Sequence, residues 1–405
     1  MKILVLWNWP VLPSSHSYFK PQTDQVWYIC DPAGIRYVQT YLGETDIQGI
    51  STVEDFDDAD AVRDQIRRVH GNFAFERIVA IDEMTVLPAA VARDEFDIPG
   101  PRSKDVELYR DKRKMKQHLA HSGIRVIRDI RPELAGPPAP FAPCVIKEVS
   151  GAAARGVYVC HDTQEFERHR SSLVTGALLE EFVTGDFFHI DGALNEHGMA
   201  AMPHAYINNC YDHYVESMPL GSVGVSDPTL RMRLTDFAEH VLAILPLREC
   251  VFHLELVRTA ADELVFLEIA CRMGGGEIFS NFLDVYGLDL LGFDITSQLG
   301  LSPRLRKLRD REIAGWLKIN KFTHRPGVFT ALRCGPLAEN NCMYAMRSYK
   351  IGRSVIASLR DDFVSFALRG ASEVAVRASI DELISKVTLE SVPIRDAPLQ
   401  ITAAI

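Results

Sequence analysis

The stretch VFHLELVRTAADELVFLEIACRMGGG, residues 251–276, constrains this chain more than any other. Two apolar, strand-like runs flank a short polar segment, which predicts a β-hairpin followed by a glycine-rich turn. With the turn at Ala261-Asp262, Glu255 falls opposite Glu268, and strand alternation puts both carboxylates on one face. Their Cβ atoms would lie about 5 Å apart, and like charges directly opposite one another repel. An apolar hairpin that keeps such a pair needs a counter-charge, and a small hard cation, Mg2+ or Mn2+, meets that need. His253, two residues before Glu255, shares its face. It is placed either to touch a substrate or the metal shell, or to serve as a satisfied polar neighbour. Arg272 and Gly274, Gly275 and Gly276 follow at once. A guanidinium and open backbone amides beside a cation suit an anionic, phosphate-bearing reactant.

At 405 residues the chain is too long for one small core, and two or three domains or lobes are expected. It is 47% hydrophobic and 24% charged, the composition of an ordinary folded protein. The formal charge of -10 argues against general nucleic-acid binding, which requires a basic face. The apolar run Ile3 to Trp7 is broken by Asn8, too short for a signal segment or a membrane span. No nucleic-acid or membrane partner is expected. The 8 cysteines show no CxxC spacing, and reduced thiols in a cytoplasmic protein are the expectation.

Residues 1 to about 100 alternate strand-like and helix-like runs: KILVLW, QVWYICD and RIVAID, with a charged helical stretch and VLPAAVARDEF. This predicts a small parallel α/β layer. No GxGxxG follows the first strand, so a dinucleotide site is disfavoured. Asp82 and Glu83 end the third strand, where such sheets make ligand contacts; a solvated loop or helix cap accounts for them equally. Residues 104–123 predict one helix stopped at Gly123, with Lys112 near its start on a basic face.

A proline-rich connector, residues 131–143, delivers CVIKEV, a strand with Lys147 inside it. A lysine there needs solvent or an anion for its ammonium. The loop SGAAARG, from Ser150 and Gly151 to Arg155 and Gly156, can aim backbone N–H groups at phosphate oxygens, or be an ordinary hairpin turn. GALLEEFVTGDFFHIDG reads as two strands paired across Thr184-Gly185, interrupted by Glu180 and Glu181. Residues 200–224, rich in polar aromatics such as Tyr206, read as an irregular loop, facing either substrate or solvent. Residues 230–245 predict a core helix. Residues 277–300 look helical, and the remainder is mixed strand and helix, with no motif that carries chemistry.

In this order the pieces resemble the ATP-grasp superfamily of carboxylate ligases over roughly residues 75–300. The motifs are VAIDEM, IPGP, LYRDKRKM, VIKEVSGAAARGVYV, EEFVTGDFFHIDG, SMPLGSV and LEIACRMGGG. Among its members, the group most similar is the bacterial L-amino-acid ligases and related carboxylate-amine ligases of peptide and specialised-metabolite biosynthesis. The resemblance implies an α/β fold with α+β lobes. Residues 1–103 would be a Rossmann-like parallel domain and 104–300 the ATP-grasp core, with a hinged lid at about 125–185. A mixed α+β lobe, 301–405, would follow.

By the same resemblance the cofactors are ATP and Mg2+ or Mn2+. Lys112 and Lys147 would hold the nucleotide phosphates, under a flap from Ser150 to Gly156. Glu180, with the backbone of Glu181 and Val183, would bind adenine. Glu255 and Glu268 would hold the metal. Arg272, with Gly274 to Gly276, would steady an acyl phosphate. The implied reaction joins a small carboxylic acid to an amine or amino acid, releasing ADP and phosphate. A phosphotransferase or a non-catalytic nucleotide-binding module is the alternative. A homodimer is compatible with the resemblance, the oligomeric state being otherwise open. Two positions depart from the pattern. Ala270 stands where many members have a metal-binding Asn. Phe187 or Phe188 stands where a ribose-binding Glu is common, which leaves Asp186 or Asp191 as substitutes.

Overall fold

In a computed structural model the described residues are 1–8, 13–20, 22–32, 34–35, 38, 42, 47–130, 142–152, 154–174, 176–215, 218–319, 327–334, 342–348, 354–355 and 364–393. The proline-rich connector therefore lies largely outside them.

The amino-terminal run forms the expected parallel layer. Strands β1 (Lys2–Trp7), β2 (Gln25–Cys30), β3 (Gly49–Thr52) and β4 (Arg77–Ala80) make one sheet in the order β3-β2-β1-β4. Strands β1, β2 and β4 are almost continuously apolar because both faces are covered. Helices α1 (Ala59–Phe73) and α2 (Val86–Phe96) supply Val62, Ile66, Val69, Phe73 and Ala89 to one of these cores.

The helix expected over 104–123 is two helices, α3 (Ser103–Arg110) and α4 (Lys112–Ala120). Asp111 breaks it. Its backbone is extended and its carboxylate caps the next helix, accepting from Arg113 N and Lys114 N. The break makes Lys112 the first residue of α4. Gly123, at φ +83, lies three residues beyond the end of α4.

A small antiparallel sheet follows, β6-β5-β7, from β5 (Cys144–Lys147), β6 (Tyr158–Cys160) and β7 (Leu178–Glu181). Helix α5 (Thr163–His169) packs Phe166 against it. The hairpin expected across Thr184-Gly185 does not form. β7 pairs with β5, while the next strand, β8 (Asp186–Asn195), joins a different sheet. The chain changes sheets at Gly185, which has φ +158; a Cβ there would lie 2.2 Å from the carbonyl oxygen of Arg258. Only glycine fits this crossing.

The remaining strands are β9 (Gly198–Asn208), β10 (Leu220–Gly224), β11 (Cys250–Arg258), β12 (Leu264–Ala270), β13 (Ile313–Ile319), β14 (Gly327–Cys334), β15 (Met343–Ser348), β16 (Ser354–Val355), β17 (Val364–Gly370) and β18 (Val387–Pro393). Eight strands form the central sheet, β12-β11-β8-β9-β10-β13-β17-β15. The carboxy-terminal stretch thus continues the sheet that carries β11 and β12. Most of 200–224 is strand, not irregular loop. Helix α6 (Pro228–Ile244) buries Leu234, Ala238, Val241 and Leu242 against the sheet, each contributing roughly 1.5–3 kcal/mol for the larger side chains. Helix α7 (Leu290–Gln298) ties this unit to the amino-terminal sheet: Gln298 donates to Ala80 O at 2.9 Å and accepts from Ala80 N at 2.9 Å. The carboxy-terminal helix α8 (Glu373–Lys386) covers β13 and β17.

Candidate active site

The hairpin of β11 and β12 has Glu255 paired with Glu268, as expected, but by a different route. The turn is one residue longer than the expected two, closed by Thr259 N donating to Glu263 O at 3.0 Å, with Asp262 left-handed at φ +63. A three-residue turn alone would slip the register. A β-bulge restores it: Leu256 pairs with Phe266, so Leu267 is the extra residue. The side chains of Leu267, Glu255 and Glu268 all line one cleft.

That cleft has a volume of about 420 Å3. Its floor is Tyr206, Glu255, Leu267 and Glu268. The small sheet forms its roof through Lys147, Glu148, Gly151, Ala152 and Arg155, and the β7–β8 crossing forms its back wall through Glu180 to Gly185. Lys112 reaches in from the start of α4. Its Nζ donates to Gly151 O at 2.6 Å and lies 3.2 Å from Glu268 Oε2. Lys112 therefore joins the small-residue loop to the carboxylate of the floor. Burial opposes charge on Glu268, but Lys112 and Lys147 outweigh it and hold its pKa at about 2.

Glu180 is at the cleft but its carboxylate is spoken for. Oε1 accepts from Lys116 at 2.5 Å and Oε2 lies 2.8 Å from Lys147 Nζ. All three side chains are buried. Both carboxylate oxygens of Glu180, the residue expected at adenine, are thus held by lysines. Burial and Lys147 push the Lys116 ammonium well down, while Glu180 and Glu268 keep Lys147 charged against the same burial. Glu181 turns away, to Arg125 at 2.6 Å and Arg128 at 3.0 Å, leaving its backbone and that of Val183 at the cleft wall.

Beyond the floor, Arg272 donates from Nε to Glu83 at 2.6 Å and from Nη1 to Met273 O at 2.8 Å. Arg110 also binds Glu83 and donates to Ser150 O at 3.0 Å. Burial opposes the Glu83 charge, but Arg272, Arg110 and Lys112 together hold its pKa below the usual range. Of the two candidates at the end of β4, Glu83 thus enters the site. Asp82 instead caps its own turn, accepting from Met84 N and Thr85 N. At the flap, Arg155 reaches the amino-terminal layer, donating to Asp57 at 2.8 Å.

His253 is buried beside Glu255. Its Nε2 lies 3.2 Å from Glu255 Oε1 and its Nδ1 lies 2.8 Å from Asp191 Oδ1. Burial opposes its charge, but Asp191 and Glu255 raise its pKa to about 10. Asp191 also meets His189 at 2.5 Å and has no exposed surface, so it is not available to a ribose. Asp186 pairs with Arg258 at 2.6 Å, Phe188 is in the core, and Phe187 lines the cleft. The glycine turn runs past this cluster: a Cβ at Gly274 would lie 2.7 Å from both Asp191 Oδ1 and His253 Nδ1, and Gly276 has φ +68.

Most of the residues expected at the site converge on it. Lys112, Lys147, Gly151, Arg155, Glu180, Glu181, Val183, Glu255 and Glu268 line the cleft, and Arg272 lies beyond its floor. Sequence reasoning did not single out Lys116 or Arg110. Both sit in basic helical runs, where nothing marks which cation turns inward. Two carboxylates facing one another on a cleft floor, with lysines around them, fit a small divalent cation and an anionic partner. Seven described cysteines are free thiols, and no helix among the described residues is long and apolar enough to cross a membrane.

These features define an ATP-grasp architecture, and the comparisons agree. Residues 140–281 match the ATP-grasp domain family. No curated protein matches the chain. Among solved structures, the L-amino acid ligase from Bacillus licheniformis superposes with a TM-score of 0.76 at 16% identity, over 96% of this chain and 98% of that one. N5-carboxyaminoimidazole ribonucleotide synthetase from Thermotoga maritima gives 0.69 at 16% identity, over 96% and 99%. The biotin carboxylase domain of 2-oxoglutarate carboxylase from Hydrogenobacter thermophilus, solved with MgADP and bicarbonate, gives 0.69 at 15% identity, over 96% and 91%. The protein has the ATP-grasp fold, and residues 140–281 are similar to the ATP-grasp domain family.

Proposed function

We propose that the protein is an ATP-dependent carboxylate-amine ligase that joins a small carboxylic acid or amino acid to an amine through an acyl phosphate. The observation that carries this reading is Lys112 Nζ, 3.2 Å from Glu268 and 2.6 Å from Gly151 O. It puts a cation, a small-residue loop and one of two facing carboxylates together where nucleotide phosphates would lie. The L-amino acid ligase likeness supports the choice of reaction class.

In this reading adenine sits against the backbone of Glu181 and Val183, and Lys112 and Lys147 hold the phosphates. Glu180 acts indirectly, by keeping the Lys147 ammonium charged and oriented. Mg2+ or Mn2+ on Glu255 and Glu268 would neutralise charge on the phosphoryl oxygens. The substrate carboxylate attacks the γ-phosphorus, the bond to the bridging oxygen breaks, and ADP leaves. An amine then attacks the acyl carbon and expels inorganic phosphate, its proton passing to phosphate or water. Arg272, oriented by Glu83, steadies the acyl phosphate near Gly274 to Gly276, where two donors can grip two oxygens at once. The small sheet with its flap would close over the cleft and exclude water from the acyl phosphate.

The test is a screen for ADP release over pairs of amino acids and small carboxylic acids with Mg2+. A ligase needs both partners and yields an amide visible by mass spectrometry. ADP release with one substrate and a phosphorylated product would instead make the protein a phosphotransferase. Nucleotide binding without turnover would make it a binding module. Glu268→Ala should stay folded and lose several kcal/mol of transition-state stabilisation, about a thousandfold in rate.

A further inference from the structure

We propose that His253 is a third protein ligand, beside Glu255 and Glu268, for the divalent cation of the cleft, and that Asp191 holds it in that role. The inference rests on the reading above that the two glutamates bind a cation.

The hairpin brings four positions to one face. His253 pairs with Ala270, and Glu255 pairs with Glu268. Alternation gives the four a common direction, so the face presents three donors and one methyl group. The methyl is too small to shield the imidazole from the glutamates. His253 Nε2 is already 3.2 Å from Glu255 Oε1.

The other ring nitrogen has the environment that metal-binding histidines have. Such a histidine gives its second N–H to a carboxylate, which fixes the tautomer and leaves the first nitrogen for the metal. Here Nδ1 lies 2.8 Å from Asp191 Oδ1. Asp191 is itself fixed: its second oxygen meets His189 Nδ1 at 2.5 Å, and His189 Nε2 meets Ser222 Oγ at 2.7 Å. The backbone at Gly274 closes off the Nδ1 edge, since even a Cβ there would come within 2.7 Å of it. The Nε2 edge, turned toward Glu255, is the one left for a ligand. A cation there would take the place of the contact between His253 Nε2 and Glu255 Oε1. A nitrogen donor among oxygens shifts preference from Mg2+ toward transition metals.

The experiment uses Mn2+ and ADP with the full chain, and its readout is electron spin echo modulation. Protein labelled with 15N-histidine should show a histidine nitrogen coupled to bound Mn2+, and His253→Gln should lose that coupling while still binding ADP. Asp191→Asn should weaken Mn2+ binding about tenfold, the usual effect of losing such a partner. Wild-type protein needs no variant to fold, so it decides the matter alone. Bound Mn2+ with no histidine coupling overturns this proposal and leaves the glutamate site standing. No Mn2+ binding in the presence of ADP overturns both.

Discussion

Arg272 donates from Nε to Glu83 Oε2 at 2.6 Å, joining the turn after β12 to the end of β4, and Arg110 binds the other oxygen of the same carboxylate. One half-buried glutamate therefore balances the buried Arg110 guanidinium and the half-buried Arg272 guanidinium, and removing it leaves both uncompensated. Glu83→Ala should destabilise the protein by about 1–3 kcal/mol. Glu83→Gln keeps the shape and an acceptor oxygen, and should lie between wild type and alanine. Urea unfolding midpoints at neutral pH check this, and equal midpoints for all three proteins would remove Glu83 as the counter-charge of this corner.

Replacing Arg272 by lysine tests what the guanidinium itself does. Lysine keeps the charge and can still pair with Glu83, but it loses the fork that holds two acceptors at once. Arg272→Lys should bind ADP as wild type does, by calorimetry, while amide formation falls by about a hundredfold or more, the scale of losing one preorganised donor to a developing charge. Amide formation at the wild-type rate would count against its role at the acyl phosphate.

Lys116, Lys147 and Glu180 make a buried triad of two ammoniums on one carboxylate. The two lysines are not equivalent. Lys147 faces the cleft, whereas Lys116 sits behind it and adds a like charge. Lys116→Met removes that repulsion and fills the same space, so stability should hold or rise, as when buried ionic groups are replaced by apolar ones. Glu180→Gln instead strands both ammoniums and should cost about 3–5 kcal/mol. The two variants differ in sign, and thermal melts side by side decide. A stable Glu180→Gln protein would mean the carboxylate is not what holds Lys147.

The hairpin shows how much of this was legible in the sequence. The pairing of Glu255 with Glu268 was, because alternating apolar residues fix which face each carboxylate takes. The bulge at Leu267 and the three-residue turn were not: they shift the register in opposite directions, and the pattern records only their sum. The parallel amino-terminal layer was legible from its apolar runs. The break at Asp111 was missed because Lys112 and its neighbours are good helix formers, and only the cap geometry marks the restart. The change of sheet at Gly185 escaped because both runs, Leu178–Glu181 and Asp186–Asn195, read as strands. Which strand each pairs with depends on distant residues. Asp191 stood with Asp186 as a substitute ribose contact because a lone aspartate in a strand does not reveal that His189 beside it and His253 on the next strand surround it.

Asp294 gives a prediction in pH. It lies in α7, accepts from Gln298 Nε2 at 2.8 Å, and is pushed up to about 7 by burial, against Gln298 and Arg93. Its ordinary value is near 4. Between those values the folded protein binds a proton that the unfolded chain releases, so stability falls as pH rises through this window. Below about 4 both states are protonated and nothing is lost; above about 7 both are ionised and the loss, a few kcal/mol, is complete. Asp294→Asn keeps the acceptor for Gln298 and cannot ionise. The gap in melting temperature between Asp294→Asn and wild type should therefore widen from pH 4 to pH 7 and stay level to pH 8. Differential scanning measurements across that range, read as the difference between the two proteins, cancel the other titrating groups. A gap that narrows with rising pH would mean that the folded protein favours the ionised carboxylate, with Arg93 outweighing burial.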